Sequence, residues 1–114
     1  MLSPEAIIDF QLDAYNRQDM AAFLSVCHPD VQFFRWPDKL IEQGHDAFAQ
    51  AYGALWARCP NLKAHILQRS VVGRFVIDLE QLEGHADGPR EPLLVIYETQ
   101  DSEILRIWAL DHRS

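Results

Sequence analysis

The chain has 114 residues and a mass of 13.1 kDa, which is enough for one domain and too little for two. The hydrophobic share of 48% predicts a packed core rather than disorder, so we expect a single domain over residues 1–114. A formal net charge of −7 argues against binding to nucleic acid or to anionic lipids, because both need clustered positive charge. No apolar run approaches the roughly 20 residues that span a bilayer, and no secretory signal is visible.

The first half of the chain has helical patterns. Ser3 and Pro4 are a helix start signal, and apolar residues then recur at helical spacing as far as residue 15. Asp19 is suited to cap a short second helix. Residues 31–36 are rich in strand-forming types, residues 40–42 suit an edge strand, and a third helix runs from Gly44 or Asp46 to Pro60.

The second half has strand patterns. Residues 62–72 and 75–83 flank Gly73, and residues 93–100 and 104–111 flank a two-residue turn at Asp101 and Ser102. Residues 84–92 contain two glycines and two prolines and suggest a long loop. Helices near one end of the chain and strands near the other predict an α+β fold with a mainly antiparallel sheet.

Two cysteines, Cys27 and Cys59, are too few for a disulfide scaffold, and neither lies in a C-x-x-C motif. They predict buried thiols in a reducing cytoplasm, the alternative being a catalytic or metal-bound thiol.

Several short segments, in this order and spacing, resemble one known family over nearly the whole chain. The family is the nuclear transport factor 2-like superfamily, which includes ketosteroid isomerases and SnoaL-like polyketide cyclases. The segments are Tyr15-Asn16-Arg17-Gln18-Asp19, His28-Pro29-Asp30-Val31, Gly44-His45-Asp46, residues 69–78, Val95-Ile96-Tyr97-Glu98 and residues 104–108.

This resemblance implies a curved, mainly antiparallel sheet wrapped as a cone around three helices. It also implies an apolar pocket at the open end of the cone and a homodimer formed through the outer sheet face. The family carries isomerases, dehydratases, cyclases and non-enzymatic binders, so the fold does not decide the chemistry.

The resemblance also argues against ketosteroid isomerisation itself. That reaction needs a general base, a tyrosine and a protonated aspartic acid. The matching positions here hold Arg35, Gln11 and about Leu94, and only a supporting tyrosine, Tyr52, is kept. An arginine stays protonated and cannot accept a proton, while Asp38, in the next turn, is a weaker alternative for the base.

The family layout implies a set of pocket residues. Arg35 would polarise a ligand oxygen, the alternative being a rim position paired with Asp38 or Glu42. Tyr15 and Tyr52 would donate hydrogen bonds, the alternative being a role in the core. The other ligand-binding candidates are Gln11, Phe33, Trp56, Leu94, Ile96, Ile107 and Ala109.

Asp78 and Glu80 lie two residues apart on one strand and share a face. Paired carboxylates can serve as an acid and a base, because two close carboxylates push their pKa values apart. The alternative is a cross-strand ion pair between Arg69 and Asp78 on a solvated or dimer-facing surface.

No histidine spacing indicates a metal site, and no phosphate-binding or nucleophile motif is present, so we expect neither metal nor cofactor. The alternative is a composite metal site built from residues that are distant in the sequence. The outer face of the last hairpin should hold Val95, Tyr97, Arg106 and Trp108, with Val95 across from Trp108 and Tyr97 across from Arg106. This face should form the homodimer, the alternative being that another element of the chain covers it. We expect a protein that binds a small apolar molecule. It is either a cofactor-independent isomerase, cyclase or dehydratase acting on a carbonyl compound, or a non-catalytic binding or dimerisation module.

Overall fold

The computed structural model describes residues 2–110, and the bounds of its elements agree closely with the sequence patterns. The helices are α1 (Pro4–Arg17), α2 (Met20–Ser25) and α3 (Gly44–Arg58). The strands are β1 (Cys27–Arg35), β2 (Lys39–Gln43), β3 (Lys63–Val72), β4 (Phe75–Glu83), β5 (Leu93–Gln100) and β6 (Glu103–Leu110). Asp111, predicted as the last strand residue, lies outside the described residues.

Both predicted helix caps are present. The Ser3 hydroxyl accepts a hydrogen bond from the Ala6 backbone N–H at 3.1 Å, and the Asp19 carboxylate accepts one from Ala22 at the same distance. Each cap satisfies a backbone donor that has no partner inside its helix. Gln18, with φ of 56°, ends α1 and leads directly into α2, so the two helices pack against each other.

The six strands form one curved, open sheet in the order β2-β1-β6-β5-β4-β3. β1 and β6 are parallel, and every other neighbouring pair is antiparallel. The helices cover the inner face of the sheet, where the core residues include Ile8, Phe23, Phe48 and Val76, all fully buried. The α+β prediction is therefore confirmed.

Cys27 and Cys59 are buried free thiols, as predicted. Among residues 2–110, no helix combines the length and the apolar character needed to span a bilayer.

β1 begins four residues earlier than predicted. Cys27 already pairs with Ile104 of β6, and the register then shifts before pairing resumes at Gln32. Pro29 lies within this irregular stretch. No ladder hydrogen bond is needed from its backbone nitrogen there, so the lack of an N–H group costs nothing. The His28-Pro29-Asp30 segment therefore interrupts the ladder without preventing the strand.

The face of β5 is the main error of the sequence analysis. The turn at Asp101 and Ser102 forms as expected, but a β-bulge between Glu98 and Thr99 shifts the register of β5 on β6 by one residue. Val95 therefore pairs with Ala109 instead of Trp108, and Tyr97 pairs with Ile107 instead of Arg106. Because side chains alternate along a strand, the shift turns Val95 and Tyr97 inward and Leu94 and Ile96 outward.

Candidate ligand-binding and catalytic site

A cavity of about 120 Å³ lies between the inner face of the sheet and the helices α1 and α3. Its polar lining residues are Gln11 and Tyr15 from α1, Tyr52 from α3, Glu80 from β4 and Tyr97 from β5. The remaining lining residues are apolar: Leu12, Phe33, Ala64, Leu82, Leu93, Val95, Ile107 and Ala109. An apolar cavity with a few converging polar groups is the usual form of a small-molecule site.

Glu80 is the ionisable group of this cavity. Its side chain is inward on β4 and only 6% of the residue is exposed, so the charged form loses most of its hydration. This desolvation raises the pKa of Glu80 to about 7. The Tyr97 hydroxyl donates a 2.7 Å hydrogen bond to Glu80 Oε2, which stabilises the carboxylate and offsets part of the rise in pKa. Glu80 is therefore divided between its protonated and ionised forms near neutral pH.

Asp78 lies beside Glu80 but has a different environment. It is fully buried, and Arg69 of β3 donates to both of its carboxylate oxygens, from Nε at 2.7 Å and from Nη2 at 2.9 Å. Arg69 also donates to Asp9 of α1 at 2.6 Å. The predicted pairing of Arg69 with Asp78 is confirmed, but it lies under α1 and not on a solvated or dimer-facing surface.

The two carboxylates therefore have separate roles. Asp78 is fully engaged with Arg69, whereas the Oε1 atom of Glu80 forms no hydrogen bond within residues 2–110. The charge of Asp78 raises the pKa of Glu80, and the charge of Arg69 lowers it, both by less than desolvation does. Glu80 is thus the carboxyl group that is available to a ligand.

Tyr15 and Tyr52 line the cavity opposite the sheet, with their rings edge to face at 6.0 Å. Burial raises the pKa of both phenols, so each stays protonated at neutral pH and remains a hydrogen-bond donor. Both were predicted for this cavity. They also belong to an aromatic cluster with Phe23 and Trp56, so the core role and the cavity role hold together.

The structure brings seven of the predicted site residues together around the cavity. They are Gln11, Tyr15, Phe33, Tyr52, Glu80, Ile107 and Ala109. Trp56 is buried, with its ring 5.7 Å from that of Tyr15, and lies behind the lining.

Arg35 does not line the cavity. It is the last residue of β1, immediately before the turn at residues 36–38, and its side chain is exposed. A guanidinium at a sheet margin keeps its hydration by extending into solvent. The prediction that Arg35 lies among the pocket residues is therefore wrong, and Asp38 is exposed as well.

Leu94 and Ile96 are the other predicted ligand contacts that the structure moves. Both lie on the outer face of the sheet, and Val95 and Tyr97, predicted as outer, take their places in the lining. Tyr97 is the functional residue that the sequence analysis missed. The available signal was the alternation of Val95, Tyr97 and Thr99 along the strand, and all three are buried. The bulge that decides which face they occupy has no marker in the sequence.

Within the described range, no group of three or more His, Cys, Asp or Glu side chains is arranged to hold a metal ion.

The pKa of Glu80 makes a prediction about stability. A carboxyl whose pKa rises on folding from 4.5 to about 7 binds more protons in the folded state than in the unfolded one. The stability it contributes is therefore complete below pH 4.5 and is lost as the pH rises through 7, by about 3 kcal/mol. We expect the free energy of unfolding of the wild type, relative to Glu80→Gln, to fall by this amount between pH 4 and pH 8 in urea titrations. A difference that stays constant with pH would contradict the raised pKa.

The chain is similar to known proteins over almost its whole length. The model of the SnoaL-like domain family matches residues 9–107. No curated protein sequence matches the chain.

Three solved structures have the same fold. An uncharacterised cystatin-fold protein from Novosphingobium aromaticivorans superposes with a TM-score of 0.87 at 21% identity, covering 97% of this chain and 100% of its own. A candidate polyketide cyclase from Sinorhizobium meliloti has a TM-score of 0.78 at 20% identity, covering 90% and 92%. A candidate ketosteroid isomerase from Kribbella flavida has a TM-score of 0.79 at 16% identity, covering 94% and 76%. At these identities the likeness establishes the fold alone.

Proposed function

This chain belongs to the SnoaL-like domain family, within the nuclear transport factor 2-like superfamily, and from that premise we propose a cofactor-independent enzyme that moves a proton on a small apolar carbonyl compound. The observation that carries the proposal is Glu80, a carboxyl with a pKa of about 7 in the wall of an apolar cavity. A general base works best when its pKa lies near the working pH. Two solved structures with this fold are candidate polyketide cyclases, and cyclisation of a carbonyl compound belongs to the same class of reaction.

The arrangement suits enolate chemistry. The ionised Glu80 removes a proton from the carbon next to the carbonyl, and the electron pair of the broken C–H bond moves to the carbonyl oxygen. Tyr15 and Tyr52, which stay protonated, donate hydrogen bonds to that oxygen as it becomes an oxyanion. Tyr97 holds Oε2 of Glu80, leaving Oε1 to receive the proton.

The fate of the enolate sets the overall reaction. Return of the proton to a different carbon is an isomerisation. Attack of the enolate carbon on a second carbonyl of the same molecule forms a carbon–carbon bond and an alkoxide, which takes the proton from Glu80, and the result is a cyclisation. Loss of a β-hydroxyl group as water, with the proton from Glu80, is a dehydration. All three balance without an oxidant, a reductant or a metal.

The proposal is tested by hydrogen exchange at carbon. Wild-type protein is incubated in D₂O with cyclohexanone or 2-cyclohexenone, and loss of the α-proton signal is followed by NMR. We expect exchange above the buffer rate that increases with pH and levels off above about pH 7, as Glu80 ionises. Binding without any exchange would instead favour the second candidate, a non-catalytic ligand-binding module.

We also propose a cytoplasmic homodimer. The outer apolar surface, which we define as Phe34, Ile77, Leu94, Ile96 and Trp108, crosses four strands, and the rings of Phe34 and Trp108 stack at 5.7 Å. At its margin, the buried carboxylate of Glu98 pairs with Arg74 and Arg106. Apolar patches of this kind usually meet a partner.

The cytoplasmic location is proposed because both cysteines are free thiols.

Trp108→Glu is expected to convert the dimer to a monomer, because it puts a charge at the centre of the outer apolar surface. Size-exclusion chromatography with light scattering measures the change. Phe10→Glu is the matched control, since Phe10 is an exposed aromatic residue on α1 at 43% and should leave the dimer intact. A wild-type protein that runs as a monomer at every concentration would refute the proposed dimer.

A further inference from the structure

We propose that the ligand of the Glu80 cavity carries a hydroxyl or N–H group that donates a hydrogen bond to Gln11. This deepens the proposed function, on which it rests for the carbonyl part of the ligand. The ligand class is then a compact, ring-sized carbonyl compound with a hydroxyl or amino substituent.

The inference begins with an unpaired polar atom. Gln11 lines the cavity and only 5% of the residue is exposed, yet its Oε1 is fully buried with no hydrogen-bond partner among residues 2–110. Buried polar atoms are nearly always hydrogen bonded in native proteins. Other half-buried glutamines of this chain follow that rule: Gln18 donates to the Cys59 carbonyl at 3.0 Å and Gln81 to the Arg90 carbonyl at 2.7 Å.

Folding alone does not explain an amide at this position. Gln11 is on the inward face of α1, one turn from Tyr15, and the other buried residues of this helix, Ile7, Ile8 and Ala14, are apolar. Within the described residues its Oε1 forms no hydrogen bond, so this atom does not hold α1 to the sheet. A leucine would fill the space without leaving an unpaired acceptor. We therefore assign the amide to the binding of a ligand that enters the cavity.

An acceptor in a cavity selects for a donor on the ligand. In the free protein the buried Gln11 oxygen has no partner among residues 2–110, so a ligand that donates a hydrogen bond to it satisfies a buried acceptor. A ligand without a donor leaves the acceptor buried and unpaired. A site of this kind discriminates strongly against analogues that lack the matching group.

The size of the cavity limits the rest of the ligand. Its 120 Å³ is close to the roughly 150 Å³ of an engineered apolar cavity that binds benzene. One six-membered ring therefore fills the described space. Its carbonyl side would face Glu80, Tyr15 and Tyr52, and its substituent would face Gln11.

The test compares matched ligands on matched proteins. Dissociation constants are measured by ligand-observed NMR for cyclohexanone and for its 2-, 3- and 4-hydroxy derivatives. The proteins are wild type, Gln11→Leu and Gln50→Leu, the last being an exposed helical glutamine on α3 that serves as control. We expect at least one hydroxy derivative to bind wild type and the control more tightly than cyclohexanone, by about 5-fold to 100-fold. Gln11→Leu should abolish this preference.

A second measurement tests whether Gln11 contributes to folding instead of to ligand binding. Because the Gln11 Oε1 has no hydrogen-bond partner among residues 2–110, Gln11→Leu should unfold at the same or a higher urea concentration than wild type. A large loss of stability would overturn the inference by giving Gln11 a folding role. So would a hydroxyl preference that persists in Gln11→Leu, or cyclohexanone binding tightest of the series to wild type.

These outcomes are distinct from failure of the proposed function. Carbon–hydrogen exchange with no hydroxyl preference would refute the inference about Gln11 and keep Glu80 as the base. A Gln11-dependent hydroxyl preference with no exchange on any ketone would keep the inference and refute the catalytic proposal.

Discussion

Replacing Glu80 by glutamine is expected to lower the rate of α-proton exchange on ketones by about 10²-fold to 10⁴-fold, which is the usual contribution of a positioned general base. Glutamine has nearly the same shape as glutamate and can still accept the hydrogen bond from Tyr97. It has no basic oxygen to take up a proton at neutral pH. The change therefore removes the proton acceptor and leaves the cavity in place.

Glu91→Gln is the matched control. Glu91 is exposed in the loop before β5 and does not line the cavity, so exchange should continue at the wild-type rate. Unaltered ligand affinity in Glu80→Gln, measured by NMR, would show that the cavity has kept its shape. Exchange that survives in Glu80→Gln at the wild-type rate would exclude Glu80 as the base.

Replacing Asp78 by alanine is expected to lower the free energy of unfolding by about 3–5 kcal/mol, one of the largest effects a single substitution can have in this chain. Asp78 is fully buried, and the side chain of Arg69 that it binds is only 14% exposed. Without Asp78, the guanidinium keeps only the exposed carboxylate of Asp9 and remains largely desolvated. Chemical denaturation of the two proteins measures the difference.

Two controls distinguish this cause from simple loss of contacts. Asp13→Ala breaks an ion pair with Arg17 whose side chains are 67% and 52% exposed, and should cost about 0–1 kcal/mol. A double variant, Asp78→Leu with Arg69→Met, removes both charges and should recover much of the lost stability. A double variant less stable than Asp78→Ala would contradict the explanation by an unpaired buried charge.

The order and type of the elements could be predicted from the sequence, because local signals specify them. Ser3 and Asp19 cap their helices by contacts within one turn, and the patterns at residues 75–83 and 93–100 ended where β4 and β5 end. Much of the cavity was also predicted, because the family resemblance implies a pocket with Gln11, Tyr15, Phe33 and Tyr52, and regular spacing keeps each of them on one face of its element.

The β5 face, and with it Tyr97, could not be predicted in the same way. Counting outward from the turn at Asp101 and Ser102 gives a regular ladder, but the real ladder contains a bulge after Glu98. A bulge adds one residue to one strand, and its position is decided by packing between strands rather than by the residues at that point. The prediction for Arg35 was wrong for a related reason. Whether a side chain at the end of a strand enters a cavity or extends into solvent depends on the space around it.

The sequence by itself thus determined the α+β fold, the helix caps, the family and the presence of two carboxylates on one strand face. These depend on periodicity and on contacts between near neighbours in the chain. Only the tertiary structure decided that the roles of Asp78 and Glu80 differ. Arg69, nine residues away along the chain, pairs with Asp78 under α1 and is itself held by Asp9, while Tyr97 from another strand meets Glu80 in an apolar cavity. Burial and partners set a carboxyl's pKa, and both are properties of the folded chain.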